Sequence, residues 1–134
     1  MMRLKPVWFN EEALDDIVDI IMSIHGAIVK RTRGLANADS RNRDKVEAAI
    51  ASICSIHVER FNDLNDQAVA IACRLAQDHC YPDGNKRTAI ITAMAIMEAY
   101  GRAIHCTDAD IVNAGLKAAI GDADGVRRAL LSRV

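Results

Sequence analysis

Apolar residues recur three and four positions apart along most of this chain, and this spacing constrains the fold more than any other feature of the sequence. The clearest stripe follows Asn10, a suitable helix N-cap, and consists of Leu14, Ile17, Val18, Ile21, Ile24 and Ile28. Hydrophobic residues make up 51% of the sequence and aromatic residues only 4%, a balance typical of closely packed helices rather than of a β-sandwich. We therefore predict an all-α fold, a compact single-domain bundle over residues 1–134.

Capping residues and breaks in the periodicity predict about six helices. In chain order they are a helix after Asn10, one after Asp39 or Ser40, one from about Asp66 to Asp78, one from Asn85 or Lys86 to Gly101, one between Thr107 and Gly121, and one from about Asp124 to Arg133. The fourth helix is apolar on nearly every face until Glu98, so it is expected to be the central, buried helix. The basic run Lys30–Lys45 lacks periodicity and is expected to be an exposed loop.

The charge balance and the absence of long apolar segments narrow the function classes. The formal net charge is −1, so no whole-chain field attracts nucleic acid or anionic lipid, and the basic run lacks aromatic residues that stack on bases. No segment approaches the roughly 20 apolar residues of a membrane span, and the N-terminus lacks the apolar stretch of a signal peptide. The four cysteines form no CxxC pair, which is typical of reduced thiols. We expect a cytoplasmic protein that binds neither membrane nor nucleic acid.

The run His79–Thr88, HCYPDGNKRT, concentrates the chemically active side chains of the chain. Pro82 interrupts the helical pattern because proline has no N–H to donate. Gly84 allows a tight turn and the close approach of a ligand, and the N–H groups that open the next helix form an anion site. This unit of helix, loop and helix predicts a phosphate-binding site at Gly84, Asn85, Lys86 and Arg87.

Four side chains of this loop have complementary chemistry. Lys86 and Arg87 are cations at a helix start, which is an unfavourable place unless an anion compensates them. Asp83 can hold Mg2+ that bridges nucleotide phosphates, and His79 can accept a hydroxyl proton near neutral pH. Together these residues favour phosphoryl or nucleotidyl transfer. From the residues alone, the alternative is a helix-end histidine beside a common GNK string.

The segment HCYPDGNKRTA resembles the signature of the Fic/Doc superfamily, His-x-Phe-x-(Asp/Glu/Asn)-(Gly/Ala)-Asn-(Gly/Lys)-Arg. The chain length and the helical layout resemble the Doc ("death on curing") toxins of that superfamily. The resemblance implies that His79 is the catalytic base for a Ser, Thr or Tyr hydroxyl of a target protein. It also implies that Asp83 is the Mg2+ ligand and that Gly84, Asn85, Lys86 and Arg87 bind the phosphates of ATP. Tyr81 stands where the family has a buried Phe.

Two positions resemble Doc more than the Fic enzymes that transfer AMP. Lys86 replaces the second glycine of Gly-Asn-Gly-Arg, and Ile90 stands where such enzymes have a second arginine. For Doc, the resemblance implies an inverted ATP whose γ-phosphate is transferred to elongation factor Tu, which arrests translation. It further implies a Phd-like antitoxin that masks the site. We expect a Doc-like kinase toxin; the alternatives are a Fic-type AMP transferase and a non-catalytic module that acts through its antitoxin.

Three other features have weaker implications. The basic run Lys30–Lys45 is a flap that docks the target, as the resemblance implies, a landing patch for an acidic antitoxin, or a solvated charged loop. Neighbouring cysteine and histidine residues, such as Cys54 with His57, have the ligand types of a zinc site, but cysteines on apolar helix faces, including Cys73, are more often structural. His25 and His57 are expected to be helix residues without a catalytic role.

Overall fold

The computed structural model describes residues 11–32, 40–54, 61–80, 84–101 and 104–131, and these residues form six α-helices and no strand. The helices are α1 (Glu11–Thr32), α2 (Ser40–Cys54), α3 (Leu64–Gln77), α4 (Asn85–Ala99), α5 (Asp108–Ala119) and α6 (Ala123–Leu131). The predicted all-α class and the number of helices are confirmed. None of these six helices combines the length and the apolar character that crossing a bilayer requires.

Several helix ends lie where the sequence predicts them. The hydroxyl of Thr107 accepts the N–H of Asp110 at 3.1 Å, and the Asp110 carboxylate accepts the N–H of Thr107 at 3.0 Å, so this pair caps α5. Gly101 and Gly121 follow α4 and α5 with φ of 95° and 73°. Glycine adopts such left-handed values at little cost, which makes it a common helix stop. These ends depend on local chemistry, and for that reason they are visible in the sequence.

The basic run Lys30–Lys45 is not the continuous loop that the sequence predicts. α1 continues to Thr32, and α2 starts at Ser40, in agreement with the predicted start of the second helix, so the run is helical at both of its ends. Lysine and arginine are good helix formers, and the loss of apolar periodicity therefore does not end a helix. The intervening residues 33–39 lie outside the described part of the chain.

α3 and α4 form the centre of the bundle. α3 contacts α2, α4, α5 and α6, whereas α4 contacts α1, α3 and α5. α4 is buried as predicted, and α3 is buried over even more of its length. α3 begins at Leu64 rather than at Asp66, because the Asp63 carboxylate accepts the N–H of Asp66 at 2.9 Å and caps the helix earlier. All six helices contribute fully buried side chains, among them Val18, Ile50, Ala118, Ile90 and Leu130.

Arg127 joins the last helix to the start of α3. Its guanidinium forms ion pairs with the carboxylates of Asp63, at 3.6 Å, and of Asp66. Both carboxylates lie at the N-terminal end of α3, where negative charge also suits the helix dipole. These ion pairs therefore hold α6 against the N-terminal end of α3. The C-terminal end of α3 leads into His79.

The central position of α3 predicts a large effect of truncating its side chains. Ile71 is 1% exposed, and Ile71→Ala is expected to lower the free energy of unfolding by about 2–5 kcal/mol because it leaves a cavity. Ile120→Ala makes the same chemical change at a residue that is 72% exposed, and it should alter stability by less than about 0.5 kcal/mol. Urea denaturation followed by circular dichroism measures both. Equal losses in the two variants would contradict this core.

Candidate active site

A cavity of about 370 Å³ opens where the end of α3, the start of α4 and the end of α5 meet. Its described lining consists of Ala76, His79, Gly84, Asn85, Lys86, Arg87 and Ala119. The fold thus brings the sequence-predicted base and the four residues of the predicted phosphate site to one surface. Asp83, the predicted Mg2+ ligand, and Tyr81 lie outside the described residues.

His79 has a backbone conformation that residues with a side chain rarely adopt. α3 ends at Gln77, Asp78 is its C-cap, and His79 follows with φ of 48°. Glycine usually occupies this left-handed position after a helix, because a Cβ there costs about 1–2 kcal/mol. The fold therefore holds the exposed imidazole at the cavity wall at the expense of stability.

The residue after His79 anchors the loop. Cys80 is 1% exposed, and its carbonyl oxygen accepts a hydrogen bond of 2.7 Å from the side-chain amide of Asn42 in α2. Burial, with a smaller contribution from the Asp78 carboxylate, raises the pKa of the Cys80 thiol to about 11. The thiol is therefore neutral near pH 7 and acts as a small apolar anchor rather than as a nucleophile.

Cys54 and Cys73 are buried, as predicted from their place on apolar helix faces. Burial raises the pKa of both thiols, and that of Cys54 reaches about 12. Within the described ranges, no three or more His, Cys, Asp or Glu side chains come together in a group that could hold a metal ion. His57, which the zinc alternative pairs with Cys54, lies outside the described residues.

Gly84 is the point at which the start of α4 meets α1. Its φ is 78°, and its carbonyl accepts the N–H of Thr88 at 3.0 Å. A Cβ added to Gly84 would lie 3.4 Å from Cδ2 of His25 and 3.5 Å from Cγ2 of Val29. The backbone angle favours glycine here, whereas these distances to α1 are ordinary van der Waals contacts.

His25 lies next to the site, although no role there is predicted for it from the sequence. It is a helix residue, as expected, but it is fully buried, and its ring packs against Gly84. The signal that could have found it is its register, since Val18, Ile21, His25 and Val29 recur at helical spacing and all four are buried. A histidine on the apolar stripe of a helix indicates that another element covers its ring. Here that element is the start of α4.

The start of α4 has an electrostatic potential suited to an anion. Gly84 offers no side-chain cap, and the first turn of α4 contains no acidic residue. Lys86 and Arg87 are both exposed in that turn. The positive end of the helix dipole and the two cations together favour a bound phosphate.

α5 packs closely against the first turn of α4. A Cβ added to Gly115 of α5 would lie only 3.1 Å from Cβ of Lys86, so α5 approaches the turn more closely than a larger residue would allow. Ile90 is fully buried in the core and is not part of the cavity lining. Position 90 therefore supplies no charge to the cavity, whose described lining includes the cations Lys86 and Arg87.

Residues 8–97 of the chain match the model of the Fic/DOC family. The match covers more than half of the chain and includes α1, the loop at His79 and most of α4. The chain therefore belongs to the Fic/DOC family. Proteins of this family are generally transferases that use nucleotide substrates, typically ATP with Mg2+. A comparison with curated proteins found no match.

The backbone of His79 predicts an unusual stability effect. His79→Gly is expected to raise the free energy of unfolding by up to about 1 kcal/mol, because glycine adopts φ of 48° without strain. His79→Ala keeps a Cβ and should gain nothing comparable. Urea denaturation of the three proteins measures the differences. A His79→Gly protein that is less stable than His79→Ala would contradict the left-handed backbone at this residue.

Replacement of Gly84 is expected to lower the stability of the protein. Gly84→Ala is expected to destabilise the protein by more than about 1 kcal/mol, because alanine is strained at φ of 78°. Gly26→Ala is the matched control, since a Cβ added to Gly26 in α1 has nothing within 4 Å. That variant should be neutral or more stable by about 0.5–1 kcal/mol, as alanine is the better helix former. Thermal or urea unfolding compares them, and equal stabilities would count against a special role of Gly84.

Proposed function

We propose that this protein is a Doc-like protein kinase that transfers the γ-phosphate of ATP to a hydroxyl group of a target protein. One observation carries the proposal: His79 lines the same cavity as Lys86, Arg87 and the first turn of α4. A proton acceptor and a site suited to phosphates thus belong to one surface. Membership of the Fic/DOC family supports the transferase class.

The residues of the cavity would have distinct tasks in this reaction. The oxygen of the target hydroxyl forms a bond to the γ-phosphorus, the bond between that phosphorus and the β,γ-bridging oxygen breaks, and ADP leaves with the bonding electrons. An imidazole nitrogen of His79 accepts the hydroxyl proton. Lys86, Arg87 and the first-turn N–H groups of α4 stabilise the negative charge of the phosphate oxygens.

In this proposal Mg2+ is bound together with ATP and not by the protein alone. The described lining of the cavity contains no carboxylate, and Mg2+ needs only one or two when phosphates and water complete its shell. Asp83, which precedes Gly84 in the sequence, would be that carboxylate. When bound, the ion supplies charge neutralisation at the phosphates.

Two residues of α4 favour transfer of the γ-phosphate over transfer of AMP. The side chain of Lys86 takes up space that a glycine would leave for a phosphate, and Gly115 of α5 lies against its Cβ. Ile90 lies in the core, so the cavity has no second arginine from that position to hold a further phosphate. The nucleotide would then be bound differently from the way it is in the AMP-transferring branch of the family.

In the cell, this proposal makes the protein the toxin of a toxin-antitoxin pair in the cytoplasm. Its target would be elongation factor Tu, whose modification arrests translation. A Phd-like antitoxin would mask the site, and binding to the folded toxin would also stabilise it by mass action. The support for this role is the resemblance of the loop and of the chain layout to Doc toxins.

Incubation of the protein with ATP, Mg2+ and elongation factor Tu is expected to add one phosphoryl group to the factor. The intact mass of the product distinguishes this group from AMP, which is much heavier. His79→Ala should slow the modification by about 100-fold or more, because a positioned proton acceptor contributes that much to such a reaction. ATP binding, measured by calorimetry, should be nearly unchanged in the variant, since His79 has no role in holding the phosphates.

His79→Gly is the control for folding, because it also removes the imidazole and is expected to be more stable than the native protein. Both variants should be equally inactive. An AMP adduct would replace the kinase by the second candidate, an AMP transferase. Undiminished modification in both variants would show that His79 is not the base.

A further inference from the structure

Asn42, in the first turn of α2, contacts the loop of the candidate active site. Its side-chain amide donates a hydrogen bond of 2.7 Å to the carbonyl oxygen of Cys80, the residue that directly follows His79. The two partners are 38 residues apart in the chain, and Asn42 is not among the described lining residues of the cavity. The contact therefore acts on the backbone beside the imidazole and not on a ligand.

α3 holds the backbone that precedes His79. The N–H of Asp78 donates to the carbonyl oxygen of Arg74 at 3.0 Å, and the side chains of these two residues form an ion pair of 2.8 Å. α3 is buried over most of its length, so its end is a fixed starting point for the loop. His79 then takes the left-handed φ of 48°, and the chain leaves the helix.

Cys80 holds the backbone on the other side of His79. Its side chain is buried in the core, and its carbonyl receives the Asn42 amide. A buried carbonyl needs a donor, because leaving it unpaired is costly. Packing of the small thiol restricts the position of Cys80, whereas the hydrogen bond also restricts the direction of its peptide group. The two contacts together determine the backbone that carries the imidazole.

α2 is a rigid support for this donor. Val46 and Ala49 are fully buried in the core, and Arg43, the residue next to Asn42, pairs with Asp19 of α1 at 2.5 Å. Asparagine is a weaker helix former than alanine, so its presence inside α2 is better explained by the tertiary contact than by the helix itself. Its amide is a short, neutral donor, which a carboxylate of the same shape does not provide.

We propose that Asn42 is a positioning residue, which holds the imidazole of His79 in place through the carbonyl of Cys80. The inference rests on the proposed function, because it concerns the proton acceptor of that reaction. Asn42 touches neither ATP nor the target hydroxyl. Without its N–H donor, the backbone at His79 adopts other angles, and the imidazole no longer meets the hydroxyl in one geometry. A displacement of about 1 Å is enough to slow such a reaction by about 100-fold.

The test measures the rate at which the full chain phosphorylates elongation factor Tu and, by calorimetry, its affinity for ATP. Asn42→Ala should lower kcat by about 10- to 100-fold, because the imidazole is less well placed. The dissociation constant of ATP should change by less than about twofold, since Asn42 is not in the described lining of the phosphate site. Asn42→Asp keeps the shape of the side chain but lacks the donor, and it should be as slow. Asn42→Gln keeps the donor and should recover part of the rate.

A double-mutant cycle separates positioning from a general effect on the fold. If Asn42 acts through the imidazole, Asn42→Ala should slow the His79→Ala protein by less than about twofold, because the group that it positions is already absent. A loss of about tenfold or more in that background would overturn the inference. Asn113→Ala, at an exposed position of α5, is the matched control and should change neither the rate nor the ATP affinity.

The imidazole signals in the NMR spectrum of 15N-labelled protein test the positioning without catalysis. The signals of His79 are identified by their absence from the spectrum of His79→Ala. Asn42→Ala should shift or broaden them and leave unchanged the signals of His105, an exposed residue between α4 and α5. Unchanged His79 signals in a folded Asn42→Ala protein would overturn the inference.

The outcomes distinguish this inference from the proposed function. A native protein that modifies no target would contradict the proposed function, and the imidazole spectra would still decide whether Asn42 orients His79. An active native protein with an equally active Asn42→Ala variant would keep the function and overturn the positioning role. Circular dichroism checks that each variant is folded. If Asn42→Ala does not fold, Asn42→Asp and Asn42→Gln provide the comparison, and equal rates in these two would overturn the role of the donor.

Discussion

The close approach of α1 and α5 to the first turn of α4 is the contact on which the candidate site depends. Gly84 packs against His25 and Val29 of α1, and Gly115 allows α5 to lie against Lys86. The contact at Gly115 leaves little room for a side chain on the glycine, whereas the left-handed backbone of Gly84 favours glycine. Since the turn is held from two sides, its N–H groups and its two cations keep one position relative to His79, which follows the buried helix α3.

Several locally unfavourable features gather around this turn. His79 has a left-handed backbone, and Lys86 and Arg87 place positive charge at the positive end of a helix dipole. Val112 and Leu116 expose apolar surface beside them. A sequence selected for stability alone would avoid each of these features, and the buried core of the six helices compensates for them. Their concentration at one place is typical of a binding and catalytic site, because groups that serve a ligand are placed at some cost to the stability of the fold.

Much of the fold could be predicted because it depends on neighbours in the sequence. The apolar stripe of α1, the Thr107 cap and the glycine at position 101 act over a few residues, and the structure confirms each of them. The end of α1 was missed for a related reason, since charged residues remove the apolar pattern without opposing the helix. The candidate phosphate-binding turn could be recognised because Gly84, Asn85, Lys86 and Arg87 are consecutive.

The sequence by itself determined the helical class, the family signature and the chemical groups of the loop, because each of these is written in short runs of residues. The tertiary structure decided which groups share a surface. It placed His25 against Gly84, buried Ile90 in the core, and set the apolar face of α5 beside Lys86 and Arg87. These relations join residues that are far apart in the chain or depend on which face of a helix packs inward. Packing of the whole core determines them, and no local pattern contains that information.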